Sequence, residues 1–416
     1  MARLPRIALD LAPLRASRDL RLLLGGEFLT GLGTQAALVA LPYQIYTQTG
    51  SALLTGLLGA VELGPLVAAA LLGGAIADRT DRRLLLLGVQ AGLVAAAATL
   101  AAAAIAGQPP VWALYLLGAA VAGFGSLEGV VRTAIVPNLV APEHLRPALA
   151  LSFGLYQLTA VVGPGAGGLL IAAADVEGAY AVDALSCLAM LAAAWRMGPQ
   201  LPHGRRDGDK PPIVRSIAEG LRFVRGSPAL KGSFAIDLVA MTFGMPRALF
   251  PVLSISVYGT GAAGTGVLFA AVSVGATVAA LTTGWLGHAR RLGRIVICAV
   301  LAWGLAIAAV GVVGTLWLAA LLLAIAGAAD SVSAVCRSTI NQTVTPDALR
   351  GRMSSVFMIV VTSGPRLGDV ESGVVASLSS ARFSVLSGGL ACLAGVVAIV
   401  VAFPALLAYD ADKAVS

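Results

Sequence analysis

Nine ionisable side chains sit inside long apolar runs of this chain: Glu27, Glu62, Glu128, Asp237, Arg247, Asp330, Arg366, Asp369 and Glu371. At the centre of a membrane helix an Asp, Lys or Arg costs at least about 2.5–3.5 kcal/mol, so such residues face a partner or a water-filled cavity and mark ion or substrate pathways. The chemistry open to them is proton exchange on a carboxylate and electrostatic capture of a ligand. Their spacing separates their roles. Glu128 precedes Arg132 by one helical turn, which suits local neutralisation as well as function. Arg366 and Asp369 stand three residues apart, close enough to pair and to part when a proton or ligand arrives. Asp237 and Arg247 would be roughly 15 Å apart along a helix, so each needs a partner elsewhere. Asp183 lies near an outer helix end and reads as interfacial. Gln35, Tyr43, Gln44, Tyr156 and Gln157 are uncharged residues that could line a cavity or bridge helices.

Other chemistries find no footing. Cys187, Cys298, Cys336 and Cys392 lie in apolar runs without CxxC spacing, and His144, His203 and His288 fall in or beside polar loops without HxxxH or HExxH spacing. They read as small buried hydrophobes and loop residues, not as a disulfide framework or a metal site. No nucleophile–base pair can be assembled, and no phosphate-cradling loop of Walker type is present. Neither an enzyme nor a cofactor is expected, and any work the chain does must draw on an ion gradient.

The elements that hold these charges are membrane helices. Of the 416 residues, 58% are hydrophobic and 12% charged, against about 25% charged in a soluble domain. The formal net charge of +7 fits the basic cytoplasmic loops of a membrane protein better than a nucleic-acid partner. Apolar segments lie at roughly 22–46, 52–77, 84–106, 111–137, 147–174, 178–200, 231–257, 264–287, 294–313, 316–341, 353–379 and 384–408, each long enough to cross a bilayer. With both termini inside, all but Arg247, Arg366 and Arg382 of the 28 Lys and Arg fall to the cytoplasmic side, as the positive-inside rule requires. Residues 1–20 lack a continuous apolar core, so no cleavable signal peptide is expected. The expected fold is an all-α membrane protein with twelve transmembrane helices in two pseudo-symmetric six-helix bundles. A cytoplasmic segment (1–21), a first bundle (22–200), a linker (201–230), a second bundle (231–408) and a tail (409–416) follow, with the protein multi-pass in the cytoplasmic (inner) cell membrane.

The bundles repeat one another. Pro142-Glu143-His144-Leu145-Arg146 matches Pro346-Asp347-Ala348-Leu349-Arg350, Arg132-Thr133 matches Arg337-Ser338, and Gly163-Pro164-Gly165-Ala166-Gly167-Gly168 matches Gly364-Pro365-Arg366-Leu367-Gly368-Asp369. Such duplication places a substrate site between the halves near mid-membrane. Gly244-Met245-Pro246-Arg247 should break or kink the seventh span. In the linker, Ile213–Arg225 has the spacing of an amphipathic helix suited to anionic lipid. Gly73 and Gly74, before a basic turn, would let two helices approach closely.

The loop Gly74-x-x-x-Asp78-Arg79-x-x-Arg82-Arg83 resembles the signature between helices 2 and 3 of the major facilitator superfamily, with Asp81 where the signature has Gly. Gly163-Pro164-x-x-Gly167-Gly168 resembles the helix-5 motif of its exporters, with Thr159 in place of the preceding Gly. Leu41-Pro42-Tyr43-Gln44-Ile45, Leu281-Thr282-Thr283-Gly284 with His288, and Thr345-Pro346-Asp347-Ala348-Leu349-Arg350-Gly351-Arg352 resemble the enterobactin-exporter and drug-efflux (drug:proton antiporter) group, which includes macrolide pumps. The resemblance implies the major facilitator fold and export of an amphipathic small molecule, such as a siderophore or an antibiotic. With no ATP-binding loop the export is expected to be proton-coupled, through protonation of a buried carboxylate among Glu62, Asp237, Asp330 and Asp369. The resemblance also implies gating by Gly74, Asp78, Arg79, Arg82, Arg83 and Arg132, with Asp78 meeting Arg132 and the start of the eleventh span near Gly351–Ser354. An importer or uncoupled facilitator of the same fold, or a membrane sensor that does not transport, stays open. The partners expected are a small-molecule substrate, protons and the lipid bilayer, for a monomer without nucleic acid.

Overall fold

The computed structural model describes residues 11–201, 213–346 and 349–410, without the side chains of residues 75, 213–217, 287–288, 350–352 and 354–355. Residues 1–10, 202–212 and 411–416, parts of the expected N-terminal segment, linker and tail, lie outside the described residues, as does Asp347-Ala348 of the repeat. So do most side chains at 351–354, where Asp78 was expected to dock.

In a bilayer each backbone N–H and C=O needs an internal partner, and a helix supplies one within its own segment. Accordingly, all regular structure among the described residues is helical. The long helices are α1 (Arg18–Thr49), α2 (Ala52–Ala77), α3 (Arg82–Ile105), α4 (Val111–Leu139), α5 (Leu145–Arg196), α6 (Ile213–Gly226), α7 (Pro228–Phe243), α8 (Gly261–Thr282), α9 (Leu292–Val312), α10 (Leu316–Val344), α11 (Arg350–Leu378) and α12 (Ala381–Ala402).

Ten helical segments among the described residues are long and apolar enough to cross a membrane. One of them contains two spans. In α5 the backbone leaves helical geometry at Ala174 (φ −139°, ψ 20°) and Asp175 (φ 52°, ψ −172°), at the boundary expected between the fifth and sixth segments. Helix α11 has the length, at 29 residues, but its charges keep it out of a count made by composition. Counting α5 twice and adding α11 gives the twelve spans of the expected fold. Large apolar side chains cover the outside, among them Leu281, Leu378 and Val401. Trp112, Trp195, Trp285 and Trp317, all exposed, lie near helix ends, where interfacial tryptophans gather.

By contact the chain forms two compact units, residues 1–40 with 68–206, and residues 41–67 with 207–416. The first is sealed at one end by Leu20, Leu23, Leu86, Val131, Ile135, Leu151 and Met190. Its α1 and α5 meet through small residues. A Cβ at Gly163 would come within 2.5 Å of the Gln35 Cβ, and one at Gly167 within 2.6 Å of the Ala36 Cα. Thr159 faces Gly31, whose added Cβ would lie 3.0 Å from the threonine side chain. The small residue missing from the helix-5 motif at 159 is thus supplied by α1. The second unit repeats the arrangement, since Cβ atoms at Gly364 and Gly368 would come within 2.7 Å of the Met241 Cβ and 2.5 Å of the Met241 carbonyl oxygen on α7.

The α6 helix packs part of its apolar side on protein. Its Phe223 and Val224 pack against Leu230, Phe234, Met353 and Val356, so this apolar surface is covered by α7 and α11.

Candidate transport site

The second unit gathers charge around two arginines. On α2, Gly56 and Gly59 let α11 approach so closely that a Cβ on Gly59 would sit 2.8 Å from the Asp369 Cβ and 2.9 Å from the Arg366 carbonyl. Arg366 Nη2 reaches Glu62 Oε2 at 2.8 Å, and its Nη1 lies 3.7 Å from Asp369 Oδ2. The expected i, i+3 pair therefore forms, and Glu62 completes it as one cation between two carboxylates. The other Asp369 oxygen accepts the Ala248 N–H at 3.0 Å. That amide is available because α7 stops at Phe243 and the chain resumes in a short 3₁₀ turn, Arg247–Leu249. The predicted break at Gly244–Arg247 is present, and a site carboxylate satisfies a donor beside it. Arg247 sits half-buried in that turn.

The second arginine is Arg337. Counted from the sequence among the cytoplasmic-side cations and inside the segment 316–341, it lies about two turns inside the end of α10, buried among its neighbours. Its Nη1 binds Asp237 Oδ1 on α7, and its Nη2 lies 3.5 Å from Asp330 Oδ1 on α10 itself. Asp237 thus finds the separate partner that its distance from Arg247 demanded. The signal for Arg337 was in the repeat, where it matches Arg132.

Arg132 occupies the corresponding place in the first unit. Its Nη1 binds Glu27 Oε1 on α1 at 2.6 Å, and Ser152 Oγ on α5 donates to the same carboxylate at 3.2 Å. Arg132 therefore turns to another helix and not to Glu128, its neighbour one turn away, which stays half-buried on α4. Glu27 is buried and paired. The Arg132 guanidinium also stands 5.8 Å from the centre of the Tyr156 ring. Beside it opens a cleft of about 300 Å³. Asp183, expected at the interface, is buried and accepts a hydrogen bond from Thr34 Oγ1 at 3.4 Å. Gln35 packs under Gly163, and the Tyr43 hydroxyl lies 3.9 Å from where a Cβ on Gly261 would stand.

In the loop after α2, the expected gating residues divide. Arg82 donates to the Ala134 carbonyl at 3.0 Å and to Asn138 Oδ1 at 3.1 Å, at the end of α4. Arg83 donates to the Ala194 and Trp195 carbonyls at the end of α5. Cations at helix C-termini satisfy orphan carbonyls and meet the negative end of the dipole. Asp81 caps α3 by accepting the Arg83 N–H at 2.8 Å and ties in Gln200 N–H at 3.0 Å. Its φ of −59° needs no glycine, which accounts for Asp at a Gly position. Asp78 and Arg79 are exposed. Gly73, not Gly74, makes the close approach, since its added Cβ would meet Leu127 at 2.7 Å while Gly74 faces open space.

Repeated halves of membrane helices, with arginine–carboxylate clusters inside them, fit a membrane transporter. The profile described as "Transmembrane secretion effector" matches residues 8–416, and the chain belongs to that family, within the major facilitator superfamily. It is 30% identical to the "Enterobactin exporter EntS" of Shigella boydii serotype 4 (strain Sb227) over 362 residues, covering 85% of this chain and 86% of the relative. The same identity and coverage hold for the enterobactin exporter of Escherichia coli O81 (strain ED1a). Among solved structures, a POT family transporter in complex with 5-aminolevulinic acid superposes with TM-score 0.73 at 13% identity, covering 94% of this chain and 97% of that one. A bacterial homolog of the human lysosomal transporter Spinster, in an inward-facing and unoccupied conformation, gives TM-score 0.68 at 17% identity, with 94% and 96% covered. These structural likenesses show the fold. Family and relatives together make the chain an integral membrane transporter.

Proposed function

We propose that this transporter exports an amphipathic small molecule, of siderophore or drug type, from the cytoplasm by proton-coupled alternating access. It would sit in the inner membrane with both termini cytoplasmic. The observation that carries the reading is the Glu62–Arg366–Asp369 cluster, where one guanidinium is shared by two carboxylates on different helices. A proton on Glu62 frees Arg366 to favour Asp369 on its own helix and weakens the hold of α11 on α2, whereas a proton on Asp369 turns Arg366 wholly to Glu62 and strengthens that hold. The similarity to enterobactin exporters supports outward transport, and the arginine clusters suit a substrate that carries charge on an apolar body. Asp78 and Arg79, exposed at the end of α2, remain the gating residues of this reading.

The test is reconstitution in liposomes with an imposed pH gradient, measuring substrate-driven proton movement for wild type, Glu62→Gln, Asp369→Asn and Asp330→Asn. Coupling in the wild type that fails in Glu62→Gln or Asp369→Asn is the expected result. Unchanged coupling in all three variants would overturn the choice of carboxylates, and no proton movement in the wild type would overturn coupling itself.

A further inference from the structure

The three clustered arginines differ in what they leave open. Arg337 has 6% of its side chain accessible and two carboxylate partners. Arg366 has two carboxylate partners as well. Arg132 is 23% accessible, and among the described residues its ion pair is made through Nη1 with Glu27. A guanidinium has five N–H donors in a fixed fork, so donors of Arg132 remain for a ligand. They border a cleft whose other walls are Val136, Leu149, Ser152, Phe153 and Tyr156. Phe153 is 62% and Tyr156 50% exposed. Glu27, with 5% of its side chain accessible, is held behind the arginine by Ser152. A guanidinium with an open side is costly against lipid, which favours a face that meets water or a solute.

We propose that the cleft beside Arg132 is a substrate subsite that takes an aromatic ring bearing an anionic oxygen, a carboxylate or a phenolate. This rests on the reading of the protein as a transporter of amphipathic small molecules. The Tyr156 ring lies beside the guanidinium and orients it by cation–π contact. Phe153 offers an exposed ring against which a second ring can stack, and Leu149 and Val136 close the apolar side. An inorganic anion would meet Arg132 and leave these apolar walls wet. A neutral hydrocarbon would fill the walls and strip water from donors it cannot satisfy. A flat aromatic acid satisfies both, and the cleft volume of about 300 Å³ falls at the small end of ligand pockets.

The test uses the full chain in lipid nanodiscs and equilibrium dialysis against naphthoate, cyclohexanecarboxylate and naphthalenemethanol, with empty nanodiscs subtracted. Wild type should hold naphthoate more tightly than either of the others. Phe153→Ala should weaken naphthoate roughly three- to tenfold, the scale of one aromatic pair, and leave cyclohexanecarboxylate unchanged. Arg132→Lys keeps a cation for Glu27 and loses the planar fork. It should weaken both carboxylates and spare naphthalenemethanol. Equal affinity for the three probes, or naphthoate binding untouched by both variants, overturns the subsite. Proton-driven transport, measured in liposomes reconstituted from the same purified protein, separates the two claims, because transport without naphthoate selectivity sinks the subsite alone, whereas absence of proton coupling in the wild type sinks the export reading.

Discussion

Arg366 of α11 holds Glu62 of α2 at 2.8 Å, and Glu62 belongs to the segment 41–67 that packs with residues 207–416. A stretch from the first half of the sequence is thus fastened by an ion pair to a helix of the second. Any separation of these helices has to break that pair, and neutralising Glu62 lowers the barrier to doing so.

Removing the cation should therefore be worse than removing one anion. Arg366→Gln leaves Glu62 and Asp369 buried without their counter-charge, a change that typically costs about 3–5 kcal/mol. Glu62→Gln leaves Arg366 with Asp369 and should cost less. The double variant Glu62→Gln/Arg366→Gln should recover part of the loss. Thermal unfolding of the four purified proteins checks the order.

The Asp237–Arg337–Asp330 cluster makes an unequal pair of partners. Asp237 has 5% of its side chain accessible and Asp330 34%. Asp237→Asn should lower the melting temperature markedly, while Asp330→Asn should lower it little and act mainly on transport. Melting curves read beside liposome transport separate the two.

Glycines of two motifs have different duties. At Gly167 an added side chain would strike the Ala36 backbone, so Gly167→Val should destabilise by about 1–3 kcal/mol or more, as overpacking does. Gly74 faces open space, and Gly74→Ala should leave the melting temperature unchanged. Detergent stability assays on both variants decide this.

The loop after α2 offers a matched pair of acids. Asp81→Ala loses the cap on α3, worth about 1 kcal/mol, together with the Gln200 contact, and should lower stability. Asp78→Asn, at an exposed position, should preserve expression and melting while impairing transport. Normal transport by Asp78→Asn would remove it from gating.

What the sequence by itself determined is the membrane architecture. The period of apolar runs, the break near residue 174 and the helix-breaking Gly244-Met245-Pro246-Arg247 follow from local rules of bilayer solvation and backbone geometry, which need only neighbours along the chain. The i, i+3 pair of Arg366 and Asp369 was legible for the same reason. The choice of partner across helices was not. Arg132 prefers Glu27 to Glu128, Arg337 binds Asp237 on another helix, and Asp183 is buried against Thr34. Each depends on which helix faces which, and that is set by the close approach of small residues such as Gly31, Gly59 and Gly167. The tertiary structure decided these pairings because a buried charge takes whichever opposite charge packing brings within reach, whatever its distance in sequence.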